Sequence, residues 1–291
     1  MICRLCPRSC GADRSVRAGF CRLGPDMRIA RIAPHFWEEP PISGERGTGA
    51  VFFSGCTLRC VYCQNAEISH TGEGRLFSPR ALSDALRRLT DLGVHTISLI
   101  TGTPFVPEIL KTLELWQPPV PVVWNSSGYE SVSTLRLLEG AVQVYLPDLK
   151  HYSAYAGKLC AGAPDYFAAA SAALKEMCRQ TGPAVFDENG IFRRGVLIRH
   201  LILPGFTSES IKLLTWIRDE LPPGTQVSLM HQYVPLNGVS VPGLDRPVTE
   251  KEYARVLGHM QALDLPGYVQ EASSADAAFV PAFNRPESFV C

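Results

Sequence analysis

The run Val51-Phe52-Phe53-Ser54-Gly55-Cys56-Thr57-Leu58-Arg59-Cys60-Val61-Tyr62-Cys63-Gln64-Asn65 decides how this chain is read. Its three cysteines stand at C-x3-C-x2-C. An iron–sulfur cube has four irons and takes four thiolates when fully ligated. Three close thiolates with no fourth nearby suggest a cube with one iron left open. An open coordination position marks a catalytic rather than a structural centre. The competing readings are three free buried thiols or a partial zinc knuckle. The loop directly follows Val51-Phe52-Phe53, which reads as a strand. That places the cysteines at the C-terminal mouth of a sheet, where barrel enzymes collect their active sites.

Outward from this loop, short apolar strands alternate with amphipathic helices. The pattern predicts strands at 49–53, 95–101, 121–125, 142–146, 196–203 and 226–233. Helices are expected over 79–92, 105–116, 130–139, 164–180, 208–221 and 249–263. Ser78 caps the first of these, with Pro79 at its first position and Gly93 just past its end. Thr249 and Glu252 have the spacing of a capping box. Gly190 marks the turn of a small hairpin before the fifth strand. Six strands alternating with helices imply a parallel sheet with right-handed crossovers. The expected fold class is α/β, a partial (β/α)6 barrel with a short Cys-rich N-terminal metal-binding extension. A doubly wound open sheet is the alternative. The expected division is an N-terminal extension and connector over 1–45, the barrel over 46–271 and an irregular tail over 272–291. Within the connector, the prolines and glycine of 33–44 argue against helix or central strand.

Composition bounds the function. The 291 residues are 46% hydrophobic, enough for a large core. Lys+Arg and Asp+Glu both number 28, so a dedicated nucleic-acid binder is not expected. No apolar run approaches membrane-spanning length, and the first residues lack the layout of a signal peptide. Seven of the ten cysteines fall in tight clusters, which points to metal ligation in a reducing cytoplasm rather than to disulfides.

The second cluster is Cys3-x2-Cys6-Pro7-x2-Cys10, with Cys21 ten residues further on. Four thiolates complete either a tetrahedral zinc site or a fully ligated iron–sulfur cluster. The spacing does not choose between them. A segment too small for its own core needs some such metal to organise it. Cys160, Cys178 and Cys291 have no partners at useful spacing and read as ordinary thiols.

The Cys56–Cys63 run resembles the signature loop of radical S-adenosylmethionine (SAM) enzymes, including the aromatic residue before the last cysteine. Val144-Tyr145-Leu146-Pro147-Asp148-Leu149-Lys150 resembles the Asp-x-Lys strand end of the pyruvate formate-lyase activating enzymes. Val196-Leu197-Ile198-Arg199-His200-Leu201-Ile202-Leu203-Pro204-Gly205-Phe206 resembles their fifth-strand segment. The N-terminal cysteines and the His35-to-Gly44 connector are similar to the less characterised PflX-like branch. The resemblance implies a [4Fe-4S] cluster on Cys56, Cys60 and Cys63 whose open iron takes the amino and carboxylate groups of SAM. It implies reductive cleavage of SAM to a 5′-deoxyadenosyl radical that abstracts hydrogen. It also implies a low-potential electron donor such as flavodoxin or ferredoxin and, as in the activating enzymes, a protein substrate that receives a glycyl radical. Modification of a small molecule, peptide or RNA is the alternative. A non-catalytic zinc scaffold is the rival from another class.

Further site residues follow from that resemblance. Tyr62 takes the place of the aromatic at the adenine. At the second strand end the family has a Gly-Gly-Glu-type run, and this chain reads Thr101-Gly102-Thr103-Pro104. The glycine remains and the acid is missing, so the hydroxyl of Thr101 or Thr103 is left to accept the SAM ammonium. Asn125-Ser126-Ser127-Gly128 at the third strand end suits ribose or carboxylate contacts, or is a plain turn and cap. Asp148 and Lys150 share a face as SAM-site residue and partner, or form a surface ion pair. Arg199 is expected on the SAM carboxylate, because guanidinium binds carboxylates bidentately. His200 alternates to the other face. Gln232 and His231 are weaker candidates. Phe36-Trp37-Glu38-Glu39-Pro40-Pro41 either covers the mouth or is a packed linker.

Overall fold

The computed structural model describes residues 2–236, 238–239, 241–270 and 281–290. Each expected strand forms. In chain order they are β2 (Thr48–Phe53), β4 (Thr96–Ile100), β5 (Val122–Ser126), β6 (Val144–Pro147), β8 (Phe192–Leu201) and β9 (Gln226–Met230). All pair in parallel and lie side by side in chain order. A doubly wound sheet reverses its strand order at a switch point. No reversal occurs here, so the structure is the α/β partial barrel. β2, β4, β5 and β6 are buried along their whole lengths, as parallel strands covered on both faces must be.

Alternation along each strand divides the core in two. Val51, Phe53, Ile97, Leu99, Val122 and Trp124 face the surrounding helices. Ala50, Phe52, Ile100, Val123, Val144, Leu146 and Leu197 fill the inside. The outer layer includes α3 (Pro79–Asp91), α4 (Val106–Leu115), α5 (Val132–Leu137), α7 (Tyr166–Thr181), α8 (Thr207–Glu220) and α9 (Glu250–Ala262). Ser78 caps α3 by accepting from the Ala81 amide, and the capping box at Thr249 and Glu252 is present. α6 (Ala154–Ala161) has no counterpart in the sequence reading. Its eight small and mixed residues carry little helical periodicity.

The connector is a correction. Residues 27–35 form β1 (Met27–His35), antiparallel to β2, and Pro40–Ser43 form a single turn, α1. Pro34 is tolerated because β3 (Arg75–Phe77) pairs β1 only through Met27–Ile29. At Pro34 the outer side of β1 therefore needs no ladder donor. β7 (Val185–Phe186) makes the small hairpin with β8, and β10 (Gly267–Val269) extends the parallel sheet beyond β9. A short helix, α2 (Ala66–Ser69), follows the cysteine loop. Of the expected tail, 272–280 and Cys291 lie outside the described residues. Its remainder returns to β1, where the Val290 amide donates to the Ile32 carbonyl and Phe289 stacks on Phe77.

Candidate functional site

The C-terminal ends of the parallel strands open onto one cavity of about 480 Å³. Cys56, Cys60 and Cys63 line it, delivered by the loop after β2. That loop is pinned to α6: the Val61 amide donates to the Cys160 carbonyl at 2.9 Å and the Arg59 amide to that of Ala161 at 3.3 Å. Cys160 itself is fully buried and plays this backbone part. The Leu58 amide donates to the Cys56 sulfur at 3.4 Å, and Cys63 and Ser69 lie 3.2 Å apart through Sγ and Oγ. Burial pushes the Cys56 thiol up to about 11 and raises that of Cys60 as well. Without a positive partner, thiolates are disfavoured there; iron supplies that partner. Among the described residues no three His, Cys, Asp or Glu side chains converge as ligands of a single ion. A cluster differs, because each thiolate binds its own iron and the sulfurs stand further apart. Three thiols at one end of a roomy cavity fit that group.

The same cavity is lined by Tyr62, Thr101, Asn125, Ser127, Asp148, Lys150, Arg199 and Gln232. Lys150 Nζ pairs with Asp148 Oδ2 at 2.5 Å, and both side chains are more than four-fifths buried. Burial works to raise the Asp148 carboxyl, but Arg199 and Lys150 outweigh it and hold the group below its ordinary value. Arg199 is already engaged on three sides. It donates to Asp148 Oδ1 at 2.9 Å, Glu38 Oε2 at 3.1 Å and Asn125 Oδ1 at 2.6 Å. Its fork therefore holds protein acceptors, and the residue also lines the cavity. Tyr62 Oη lies 3.2 Å from His151 Nε2, and its ring meets Tyr233 edge-on.

Gly102 and Thr103 do not line the cavity. A Cβ on Gly102 would strike Ile109 at 2.7 Å and Trp124 at 3.0 Å, so this glycine serves helix packing. Thr103 is buried and donates to Glu130 Oε1 at 2.7 Å. Thr101 is at the cavity with φ 57°, a strained setting for a β-branched residue of the kind that gathers at functional sites. His200 faces outward as expected, between the Leu149 carbonyl (2.6 Å) and Ser210 Oγ (2.8 Å). His231 does not line the cavity; its ring packs 4.4 Å from that of Tyr253.

Sequence reasoning missed several contributors. The connector splits: Phe36 and Trp37 are exposed, while Glu38 and Glu39 turn inward and are buried. His35, Trp37 and Glu38 line the cavity. Burial raises Glu38 and pushes Glu39 up to about 7. The signal available was two adjacent acids before Pro40-Pro41, too short to show an inward face. Asn65 Oδ1 and Gln270 Oε1 are buried at the cavity without hydrogen-bond partners among the described residues. Two orphaned acceptors suit a ligand that brings N–H donors, as an adenine or an ammonium does.

The N-terminal segment packs behind this loop. Arg8 donates to the carbonyls of Thr57 (2.8 Å), Gly162 (2.6 Å) and Ala161 (3.3 Å). Phe20 lies between the guanidinium groups of Arg8 and Arg59, at 4.1 and 4.6 Å. Gly55 has φ 73°, and a Cβ there would meet the Cys21 carbonyl at 2.7 Å.

Comparison with known proteins adds the following. The Radical SAM superfamily model matches residues 50–217, more than half of the chain. An uncharacterized protein of Methanocaldococcus jannaschii is 27% identical over 266 residues, covering 88% of this chain and 73% of its own. The 7-carboxy-7-deazaguanine synthase of Methanothermobacter thermautotrophicus is 35% identical over only 66 residues, 21% of this chain and 27% of that protein. A radical SAM methyltransferase from Sphaerobacter thermophilus shares the fold at TM-score 0.52 and 15% identity, over 91% of this chain and 81% of that one. Streptococcus suis SuiB bound to precursor peptide SuiA overlays at TM-score 0.50 and 14% identity, over 74% of this chain and 46% of that one. The chain thus spans less than half the length of SuiB.

Proposed function

The chain belongs to the radical SAM superfamily, and on that premise we propose that it binds a [4Fe-4S] cluster through Cys56, Cys60 and Cys63 and SAM in the adjoining cavity. When bound, the pair supplies one-electron cleavage of a SAM carbon–sulfur bond and, from it, a carbon radical that takes hydrogen from a substrate. The observation that carries this reading is the meeting of three thiols with the strand-end polar residues in one cavity.

The chain's own residues bind, orient and exclude water. Tyr62, Asn65 and Gln270 form the polar wall toward the SAM nucleobase. Thr101 and Ser127 take the amino acid and ribose portions. Lys150 lines the same cavity, and its charge opposes the effect of burial on the Cys56 and Cys60 thiols. Arg199, Asp148, Glu38 and Asn125 form the rigid floor rather than the ligand clamp.

The substrate is proposed to be a polypeptide, in the manner of a glycyl-radical-enzyme activase. Support comes from the Asp148–Lys150 strand end and from the mouth, where Phe36 and Trp37 are 52% and 67% exposed. The remaining donor set, Cys3, Cys6, Cys10 and Cys21, is proposed to hold a second metal centre, zinc or iron–sulfur by its ligand count. A low-potential electron donor completes the system.

The test is 5′-deoxyadenosine release from SAM by anaerobically reconstituted protein with dithionite. Release is expected from the wild type and abolished in Cys56→Ala. Release that persists in Cys56→Ala, or a colourless protein holding zinc alone, contradicts the reading.

A further inference from the structure

Arg8 stands two residues after Cys6 and two before Cys10, yet its side chain reaches into the barrel. Its Nε donates to the Thr57 carbonyl at 2.8 Å, its Nη1 to that of Gly162 at 2.6 Å and its Nη2 to that of Ala161 at 3.3 Å. Ala161 is the last residue of α6, and Gly162 is its left-handed cap with φ 62°. The last carbonyls of a helix have no donors within it, and a cation there meets the negative end of the helix dipole. The guanidinium also lies over two rings, 4.1 Å from the centroid of Phe20 and 5.3 Å from that of Tyr129. Both residues are anchored in turn. The Phe20 carbonyl accepts from Arg59 Nη2 at 3.1 Å, and Tyr129 Oη donates to Asp165 Oδ2 at 2.8 Å.

These contacts join the two halves of the cysteine loop. The Cys60 half is tied to α6 by its main chain, through the amides of Arg59 and Val61. The Cys56 half is tied at its start, where the Gly55 amide donates to the Ile68 carbonyl at 2.9 Å. Next to Cys56, the Thr57 carbonyl is held by Arg8. The Ala161 carbonyl accepts from both the Arg59 amide and Arg8 Nη2, so the guanidinium bridges the two halves through the end of α6. A planar fork with fixed donors suits that task, and the point charge of a lysine does not. We propose that Arg8 is a positioning residue of the radical site, a brace delivered by the N-terminal segment that fixes Cys56 against Cys60 and Cys63.

Arg8 does not line the main cavity; it acts through the backbone that carries the sulfurs. Three thiolates that leave one iron of a cube open have no fourth ligand to hold the cluster in place. Their mutual spacing then depends on what orients the loop. Residues that orient metal ligands without touching the metal are typically worth about 10–100-fold in metal affinity or activity. The N-terminal segment thereby becomes part of the frame of the radical site rather than an appendage to it.

The part Arg8 plays in the radical site rests on the function proposed above, while the brace itself does not. The experiment reads the two apart. Hydrogen–deuterium exchange over residues 54–63 is measured in full-length wild type, Arg8→Gln and Arg8→Lys, each reconstituted with iron and sulfide under argon. Arg8→Gln is expected to exchange about tenfold faster there, with the amides of β4 and β5 unchanged. Its 5′-deoxyadenosine release is expected to fall about 10–100-fold. The change that SAM makes in its reduced-state electron paramagnetic resonance (EPR) signal is expected to weaken with it. Arg8→Lys, which keeps the charge and loses the fork, is expected to fall between wild type and Arg8→Gln in all three readouts, and it carries the test if Arg8→Gln does not fold. Wild-type exchange in either variant overturns the brace. Faster exchange with wild-type SAM cleavage and EPR response overturns its part in the radical site. A wild type that cleaves no SAM sinks the proposed function alone, and the exchange rates still decide the brace.

Discussion

Arg199 touches three protein acceptors at once, and this settles what its loss does. The guanidinium sits between Glu38 and Asp148, all three largely buried. Removing one partner of a buried ion network strands the other charges away from water. Arg199→Ala is therefore expected to lower the stability of the unliganded protein by about 3–5 kcal/mol, read by urea denaturation. An unliganded variant as stable as the wild type would show that the guanidinium serves a ligand instead. Glu130 makes a second residue-scale prediction. Burial pushes its carboxyl up to about 7, above its unfolded value of 4.5, while the Thr103 hydroxyl opposes the shift. An acid raised in the folded state contributes fully below the unfolded pKa and loses that contribution as pH rises through the folded one. The wild type is thus expected to lose about 3 kcal/mol between pH 4.5 and 7 that Glu130→Gln does not lose. Equal pH slopes in the two proteins would contradict this. The sequence leaves the hydroxyl of Thr101 or Thr103 to accept an ammonium; that of Thr103 donates to Glu130, an acid supplied 27 residues later. Nothing local to Thr103 announces that partner.

At the scale of elements, the strands and helices were legible where a period repeats. Leu82, Leu86 and Leu89 are buried on one face of α3, and the Thr249–Glu252 capping box starts α9. β1 was not legible. Its run Met27–His35 contains Arg28, Arg31 and Pro34, which break the alternation, and only pairing with β2 explains it. Glu38 and Glu39 were unreadable for the same reason, since their inward turn depends on α1. The junction between the N-terminal segment and the cysteine loop offers an element-scale test. Gly55 has φ 73°, and a Cβ added there would lie 2.6 Å from Leu23 Cδ1 and 2.7 Å from the Cys21 carbonyl. Gly55→Ala is expected to cost more than about 1 kcal/mol, seen as a lower melting temperature of the metal-free protein. An unchanged melting temperature would mean that the two segments do not lock together there.

Over the whole molecule, a single geometric fact organises the chemistry. Strands in chain order bring the Cys56 loop and the ends of β4, β5, β6, β8 and β9 to one mouth. This was readable because the cysteines follow a strand, and parallel strands share one C-terminal end. The division of labour within the mouth was not, because side-chain partners from distant strands decide it. Arg199 and Asn125 are 74 residues apart and hydrogen-bonded. No helix among the described residues is long and apolar enough to cross a membrane. The central claim is that Cys56, Cys60 and Cys63 hold an open-iron cluster beside bound SAM. Its most direct test is the EPR spectrum of the dithionite-reduced protein with and without SAM. The account predicts a component whose line shape changes when SAM is added, and the absence of that component in Cys56→Ala/Cys60→Ala/Cys63→Ala. A reduced spectrum indifferent to SAM in the wild type would contradict it.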